Sequence, residues 1–364
     1  MRWDGQGDGA GRRRIPPGLV RSVRTPGPVG VALPGVDAES VPNGLPGGDL
    51  PSPRVVDPRR AVRAGARCLA GDTPVLLADG RTRPLSELSV GEEVFGTREG
   101  RFAVTRVRAH WKTTRPAYRL VLGDGTQVVA SGDHRFLTDE GWRHLAPGRC
   151  EGAESRPHLV KGARLVGTGR FAAPPAHLPD YRRGYLWGAV RGGPPCDPEV
   201  LARVRDFAGG RAGGWGRGWV PRDGELPEPA AEPGEEWSKG FLAGLFDARG
   251  SSTGGELVMS SSDGAVFDAA VRALLRLEVP HVVEVRGVRV VGGLAARLRF
   301  LHLIGPVLPR GNAVEGMAVP VTSRLEVVSV ESLGAARTLH DITTGTGDFV
   351  ANGLVSHNCS AAPA

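Results

Sequence analysis

Cysteine is scarce in this chain. Four residues in 364 (Cys68, Cys150, Cys196 and Cys359) show no CxxC spacing and no paired-histidine pattern. That excludes the usual zinc and iron–sulfur signatures and leaves no disulfide framework to read. No apolar run is long enough to span a bilayer, and the opening Met1-Arg2-Trp3-Asp4 lacks the apolar core of a signal peptide. The chain therefore reads as cytoplasmic, without a membrane partner, its thiols kept reduced for chemistry. What is abundant is glycine (54) and proline (30), almost a quarter of the residues and unevenly spread, so that loops and tails separate from folded parts. A hydrophobic share of 40% still supports buried cores, and the length suits two or three domains. The net charge of +7 admits a nucleic-acid partner. A coding bias toward Arg, Gly, Ala and Pro accounts for it equally well.

The texture changes along the chain. Up to Arg67 it is rich in Pro, Gly and Arg with no lasting period, the pattern of a poorly ordered flank. From Cys68 short strands alternate with tight turns: Thr73–Leu77, Val94–Gly96, Phe102–Val107, Ala117–Leu122 and Gln127–Val129, with Asp-Gly turns between. From about Pro157 to Pro309 the pattern is mixed, with helices expected near 199–207, 239–247 and 266–277 and strands at 281–285 and 288–291. Strands then return at 324–330, 338–343 and 348–353. A mainly β unit is thus interrupted by an α/β unit, and its two β parts must meet in space.

The chemistry lies at the ends of the β parts. Cys68 opens Cys68-Leu69-Ala70-Gly71-Asp72-Thr73, and Ser356-His357-Asn358-Cys359 lies near the end. An Asn carboxamide can attack its own peptide carbonyl, a His can move the protons, and a Cys thiol can carry an acyl group. Taken singly, a cysteine is more often a small buried hydrophobe and a His-Asn pair a solvated loop. The agreement of several motifs in one order favours chemistry. Together these residues resemble an intein, a self-splicing domain running from Cys68 to Asn358. Ala130-Ser131-Gly132-Asp133-His134-Arg135-Phe136-Leu137-Thr138 resembles the family motif in which a hydroxyl residue and a His contact the first scissile bond, with Ser131 in the Thr position. Asp341 matches the family's acidic residue near the downstream nucleophile. A further His often found before Phe349-Val350-Ala351-Asn352-Gly353 is replaced by Gly347 or Asp348. The resemblance implies the horseshoe-shaped all-β Hint fold shared with Hedgehog autoprocessing domains. It also implies an acyl shift from the Arg67 carbonyl to the Cys68 sulfur, transfer to Cys359, and cyclisation of Asn358. This chemistry calls for no cofactor; the substrate is the chain's own flanking sequence, and a monomer is expected.

Within the interruption, Gly240-Phe241-Leu242-Ala243-Gly244-Leu245-Phe246-Asp247-Ala248-Arg249-Gly250 resembles the LAGLIDADG homing-endonuclease motif, with a weaker first copy over 184–193. That family's helices end in a metal-binding acid; here Arg249 and Gly193 stand in those places, so no metal site is expected. Asp247 reads as an interface residue rather than a ligand. The insert reads as a degenerated endonuclease, with weak DNA contact through Arg and Lys the most it would retain. Met1-Arg2-Trp3 and the stretch 18–26 resemble an actinobacterial radical-SAM host, with no cysteine triplet for its cluster and no activity assigned. The resulting plan is a host flank (1–67), a splicing part (68–155), an insert (156–318), a second splicing part (319–358) and a short downstream flank (359–364). Two other readings stay open: a DNA-binding or DNA-cleaving protein, and a remnant that keeps the β fold but no longer splices.

Overall fold

In this computed structural model the described residues are 67–148, 156–193, 197–209, 232–253, 256–285, 287–308 and 314–358. The upstream flank, Cys150, Cys196 and Cys359 fall outside them. Strand dominates over helix, and the β unit is interrupted by an α/β unit as the residue pattern implies.

The first β part comprises β1 (Leu69–Ala70), β2 (Pro74–Leu76), β3 (Thr82–Pro84), β4 (Glu93–Arg98), β5 (Arg101–Leu122), β6 (Gln127–Ser131), β7 (Arg135–Thr138), β8 (Gly141–His144) and β9 (Arg164–Val166). Helices α1 (Pro179–Arg191), α2 (Pro198–Phe207) and α3 (Glu235–Arg249) follow. Then come β10 (Gly250–Thr253), β11 (Glu256–Ser260), α4 (Gly264–Arg276), β12 (His281–Glu284), β13 (Gly287–Val290) and α5 (Gly293–Ile304). The chain returns through β14 (Val321–Thr344), β15 (Asp348–Ala351) and β16 (Leu354–His357).

Twelve strands join in one hydrogen-bonded array, ordered β3-β2-β15-β16-β7-β9-β14-β1-β6-β5-β4 with β8 beside β7. Two strands far longer than the sequence pattern suggests, β5 and β14, run antiparallel for most of their length and form its spine. Their alternation is broken at Pro116 and at Gly334, where φ is +70°, so the pattern reads as separate strands. Pairing across the ladder carries both over these breaks, with register shifts in β14. A second difference lies at 348–353. The strand stops at Ala351, because Asn352 (φ 46°) and Gly353 (φ 77°) form a two-residue left-handed turn. That is the preferred Asn-Gly hairpin, and it returns the chain as β16.

Apolar residues from both β parts share a core, with Leu69, Val75, Leu120, Phe136, Ile342, Phe349 and Leu354 buried together. The inserted unit has its own core, in which α1 and α3 cross without spacing side chains. A Cβ on Gly184 or Gly188 would meet the Trp237 or Phe241 carbonyl at 2.1 Å. On Gly240 or Gly244 it would meet the Tyr181 or Tyr185 carbonyl at 2.0 or 2.1 Å. Each glycine of one helix thus faces backbone of the other, a reciprocal contact only glycine permits.

Arg164–Val166, inside the 156–318 span, pairs with β14 and β7 and so lies in the large sheet. Leu294 and Leu298 of α5 pack with Leu76, Phe95, Phe102 and Val350 of the β unit. Burial of apolar faces, not chain order, decides where these segments sit. Among the described residues no helix is long and apolar enough to cross a membrane.

Candidate functional site

Two strand pairings bring the ends together. β1, directly after Cys68, lies between β14 and β6, with Leu69 opposite His340 and Ala130. β16, directly before Asn358, lies between β15 and β7, with Ser356 opposite Phe136. The short connection from β6 to β7 carries Ser131 and His134. It therefore links the neighbour of the first junction to the neighbour of the second.

At the first junction the Cys68 N–H donates to Ser131 Oγ at 3.1 Å, and the Ser131 N–H donates to the Cys68 carbonyl at 2.8 Å. Cys68 is fully buried. His134 is also fully buried, and neither ring nitrogen has a formed hydrogen bond. Desolvation lowers its pKa to about 3, with the nearby Arg67 backbone the one group acting upward and the charges of His357, Arg67 and Arg135 acting downward. The imidazole is thus neutral at pH 7 and borders the backbone of residue 67. Catalytic hydrogen bonds are often loose before substrate is activated.

At the second junction His357 Nδ1 lies 2.5 Å from the Asn358 carbonyl oxygen, and its Nε2 lies 2.8 Å from Arg135 Nη2. A guanidinium only donates, so Arg135 calls for a lone pair on Nε2, while Nδ1 is shared between the Asn358 carbonyl, which calls for a proton there, and the Arg67 guanidinium 3.0 Å away, which calls for a lone pair. Burial lowers the His357 pKa to about 4, with Arg135 and Arg67 acting the same way and the Asn358 backbone contact acting against them. The Trp142 ring stands edge-on to the imidazole at 4.8 Å.

Asn358 is buried and held on both sides. Its N–H donates to the Gly347 carbonyl at 3.1 Å. Its carboxamide is best satisfied with the nitrogen donating to the Gly347 carbonyl at 2.7 Å and the oxygen accepting from the Thr344 N–H at 2.7 Å. Gly347 thus contributes a backbone acceptor to both the Asn358 N–H and its carboxamide. Beside it, Asp348 is buried, and its carboxylate accepts from the Thr97 N–H at 2.7 Å and from the Thr97 hydroxyl. Desolvation raises its pKa.

Asp341 is fully buried and accepts from the Ile342 N–H at 2.9 Å. Continuing the Leu69–His340 register by one step sets it across from Cys68. The structure therefore brings together Cys68, Ser131, His134, Asp341, His357 and Asn358, while Cys359 lies outside the described residues. Three participants escaped sequence reasoning. Arg135 adjoins a recognised histidine, Thr344 carries no motif, and Arg67 is read there through its carbonyl alone, not its side chain. The Arg67 Nη1 lies 3.0 Å from His357 Nδ1 and 3.4 Å from the Asn358 carbonyl oxygen.

In the insert, Arg249 Nε donates to the Gly192 carbonyl, and the guanidinium fills the space a Cβ of Gly193 would need. Asp247 is buried and accepts from the Tyr185 hydroxyl at 2.7 Å and from the Val307 and Leu308 N–H groups at 2.9 and 3.0 Å. It ties the end of α3 to the segment after α5. Among the described residues no group of three or more His, Cys, Asp or Glu is placed to hold a metal ion.

No family model matches the chain. It is similar to the replicative DNA helicase DnaB of Rhodothermus marinus, 40% identical over 84 residues, covering 21% of this chain and 9% of that protein. It is also similar to the replicative DNA helicase DnaB of Mycobacterium leprae (strain TN), 34% identical over 131 residues, covering 34% of this chain and 20% of that protein. The chain thus spans at most a fifth of the length of these curated relatives. Among solved structures it is similar to the Ssp DnaB mini-intein variant M86, with a TM-score of 0.34, 14% identity, and 80% of this chain and 94% of that chain covered. For a DnaB intein from Synechocystis sp. PCC 6803 the TM-score is 0.34, at 12% identity over 81% of this chain and 100% of that chain. For the MchDnaB-1 intein it is 0.20, at 29% identity over 26% of this chain and 72% of that chain.

Proposed function

We propose that the chain is an autocatalytic protein-splicing element that excises Cys68–Asn358 and joins its own flanks. One observation carries this reading. Residue 67 borders His134 through its backbone and reaches His357 and Asn358 through its side chain, although His357 lies 290 positions away. This contact supports the reading that the two junctions work at one site.

The first step moves the residue 67 acyl group from the Cys68 nitrogen to the Cys68 sulfur. Ser131 holds the amide N–H, and neutral His134 is placed to take the thiol proton and pass it to the departing nitrogen. The Cys359 thiolate then attacks the thioester, with Asp341 as the nearby carboxylate. The Asn358 carboxamide nitrogen next attacks the Asn358 carbonyl carbon, which the His357 Nδ1 proton polarises, and residue 359 leaves as a free amine. An S-to-N shift closes the new peptide bond.

The proposed domain plan keeps 68–155 and 319–358 as the splicing parts around a LAGLIDADG-like insert at 156–318, with flanks at 1–67 and 359–364. The glycine-lined crossing of α1 and α3 supports that likeness. Arg249 occupying the space at Gly193 argues that the insert no longer cuts DNA, since a fixed cation repels a metal ion. Arg289, on the exposed side of the inserted sheet, is tied to Glu256 and Glu284, so DNA contact there is weak. The upstream flank is read as host sequence of radical-SAM type, without assigned activity.

Intact mass of freshly expressed chain tests the reading. The expected products are a fragment from Cys68 to a C-terminal succinimide at 358 and a ligated remainder. Asn358→Ala should keep thiol-induced cleavage before Cys68 and abolish release of the downstream piece. An unchanged wild-type mass would instead identify a splicing-defective remnant.

A further inference from the structure

We infer that Arg156 is a positioning residue for the first junction, its guanidinium fixing the β6–β7 connection from which Ser131 and His134 meet Cys68. The inference rests on the splicing reading and adds to it a residue that carries no motif.

His134 depends on its surroundings for its place. Neither ring nitrogen has a formed hydrogen bond, so the ring is set by packing, with the Phe136 ring at 4.7 Å, and by the backbone that carries it. That backbone, Ser131-Gly132-Asp133-His134, turns where the His134 N–H donates to the Ser131 carbonyl at 3.0 Å. Its other carbonyls accept from residues 144–146. Gly132 accepts from the Ala146 N–H at 3.1 Å, His134 from the Leu145 N–H at 2.8 Å, and Asp133 from His144 Nδ1 at 3.0 Å.

Arg156 ties the two segments together. Its Nη2 donates to the Gly132 carbonyl at 2.9 Å and to the Ala146 carbonyl at 3.1 Å, and its Nε donates to the same Ala146 carbonyl at 3.1 Å. Its Nη1 donates to the Asp133 carboxylate, whose other oxygen lies 3.8 Å from Arg115 Nη1 on β5. The Arg156 side chain is only 11% exposed. A planar fork of N–H donors can serve two carbonyls and a carboxylate at once, which a single ammonium cannot. One clamp therefore fixes both residues between Ser131 and His134. The second junction draws its support elsewhere. His357 ends β16, and its neighbours Arg135 and Trp142 stand on β7 and β8, which the strand ladder holds. Loss of Arg156 should be felt at Cys68 and not at Asn358.

The test follows each junction of the full chain in its own background by intact mass. Dithiothreitol-induced cleavage before Cys68 is read with Asn358→Ala, and release of the downstream piece with Cys68→Ala. Arg156→Met keeps the stem and removes the fork. It should slow the first cleavage roughly tenfold, within what a small misplacement of a catalytic group costs, and leave the second within about twofold. Arg156→Lys, with one nitrogen for three acceptors, should recover only part of the lost rate. Asp133→Asn keeps the shape and weakens one charge-assisted bond, and should slow the first cleavage about threefold. It carries the test if circular dichroism shows Arg156→Met unfolded. No slowing before Cys68, or equal slowing at both junctions, would overturn the inference while leaving the splicing reading intact. Absence of both cleavages with Arg156 in place would overturn the splicing reading and the inference with it.

Discussion

Ser131 and His134 stand at the same junction but remove different things when lost. Ser131 contributes a hydroxyl that accepts from the Cys68 amide, so Ser131→Ala should slow dithiothreitol-induced cleavage before Cys68 by about fivefold, the equivalent of ~1 kcal/mol. In the proposed mechanism the buried His134 serves as the base at the first junction, so His134→Ala should slow the same cleavage on the order of a hundredfold and spare part of Asn358 cyclisation. Cleavage at wild-type rate in His134→Ala would reduce His134 to a turn residue. The two histidines also predict a pH effect. His134 titrates at about 3 and His357 at about 4 in the fold, against 6.5 unfolded. The unfolded chain therefore binds more protons below pH 6.5, and stability should fall as pH drops from 6.5 toward 4. Denaturant midpoints of a Cys68→Ala, Asn358→Ala chain across that window check this. Adding His134→Phe should flatten the slope.

At the scale of elements, the insert stands on the crossing of α1 and α3. A Cβ on Gly240 would sit 2.0 Å from the Tyr181 carbonyl, so Gly240→Ala must push the helices apart. Overpacking of this kind should cost on the order of 3 kcal/mol. Gly234→Ala, with open space around it, is the control expected to change little. Helix α5 behaves differently, because it serves both cores. Its Leu298 packs with Leu76, Phe102 and Val350, while its Phe300 and Ile304 belong to the insert. Leu298→Ala should therefore lower splicing yield at 37 °C, where Leu274→Ala, confined to the insert core, should not. Equal splicing loss in both would show that the insert acts as a whole rather than through α5.

At the scale of the molecule, the charge balance of the insert decides its remaining activity. With Arg249 over Gly193 and Asp247 committed to Tyr185, Val307 and Leu308, no carboxylate among these is free to hold a divalent cation. We expect no nicking or double-strand cleavage of an uninterrupted host allele with Mg2+ or Mn2+. Clean cutting would require another acid in the ligand role, and Asp247→Asn would test the first suspect.

The order of chemistry-bearing residues was legible in the chain because splicing needs particular atoms at its two ends. Cys68, His357 and Asn358 cannot be exchanged without losing a nucleophile or a proton carrier. The β texture of 68–148 was legible from its turns, and helices of the insert were expected near 199–207, 239–247 and 266–277, while α5 (Gly293–Ile304) was not. The continuity of β5 and β14 was not, because Pro116 and Gly334 read as breaks and only pairing between distant strands carries the backbone across them. Nor could the sequence place the Arg67 side chain, Arg135 and Thr344 at the site. Their roles depend on β1 and β16 both lying next to the β6–β7 connection. That neighbourhood is set by burying Leu69, Phe136, Phe349 and Leu354 in one core, a tertiary outcome that no local stretch encodes.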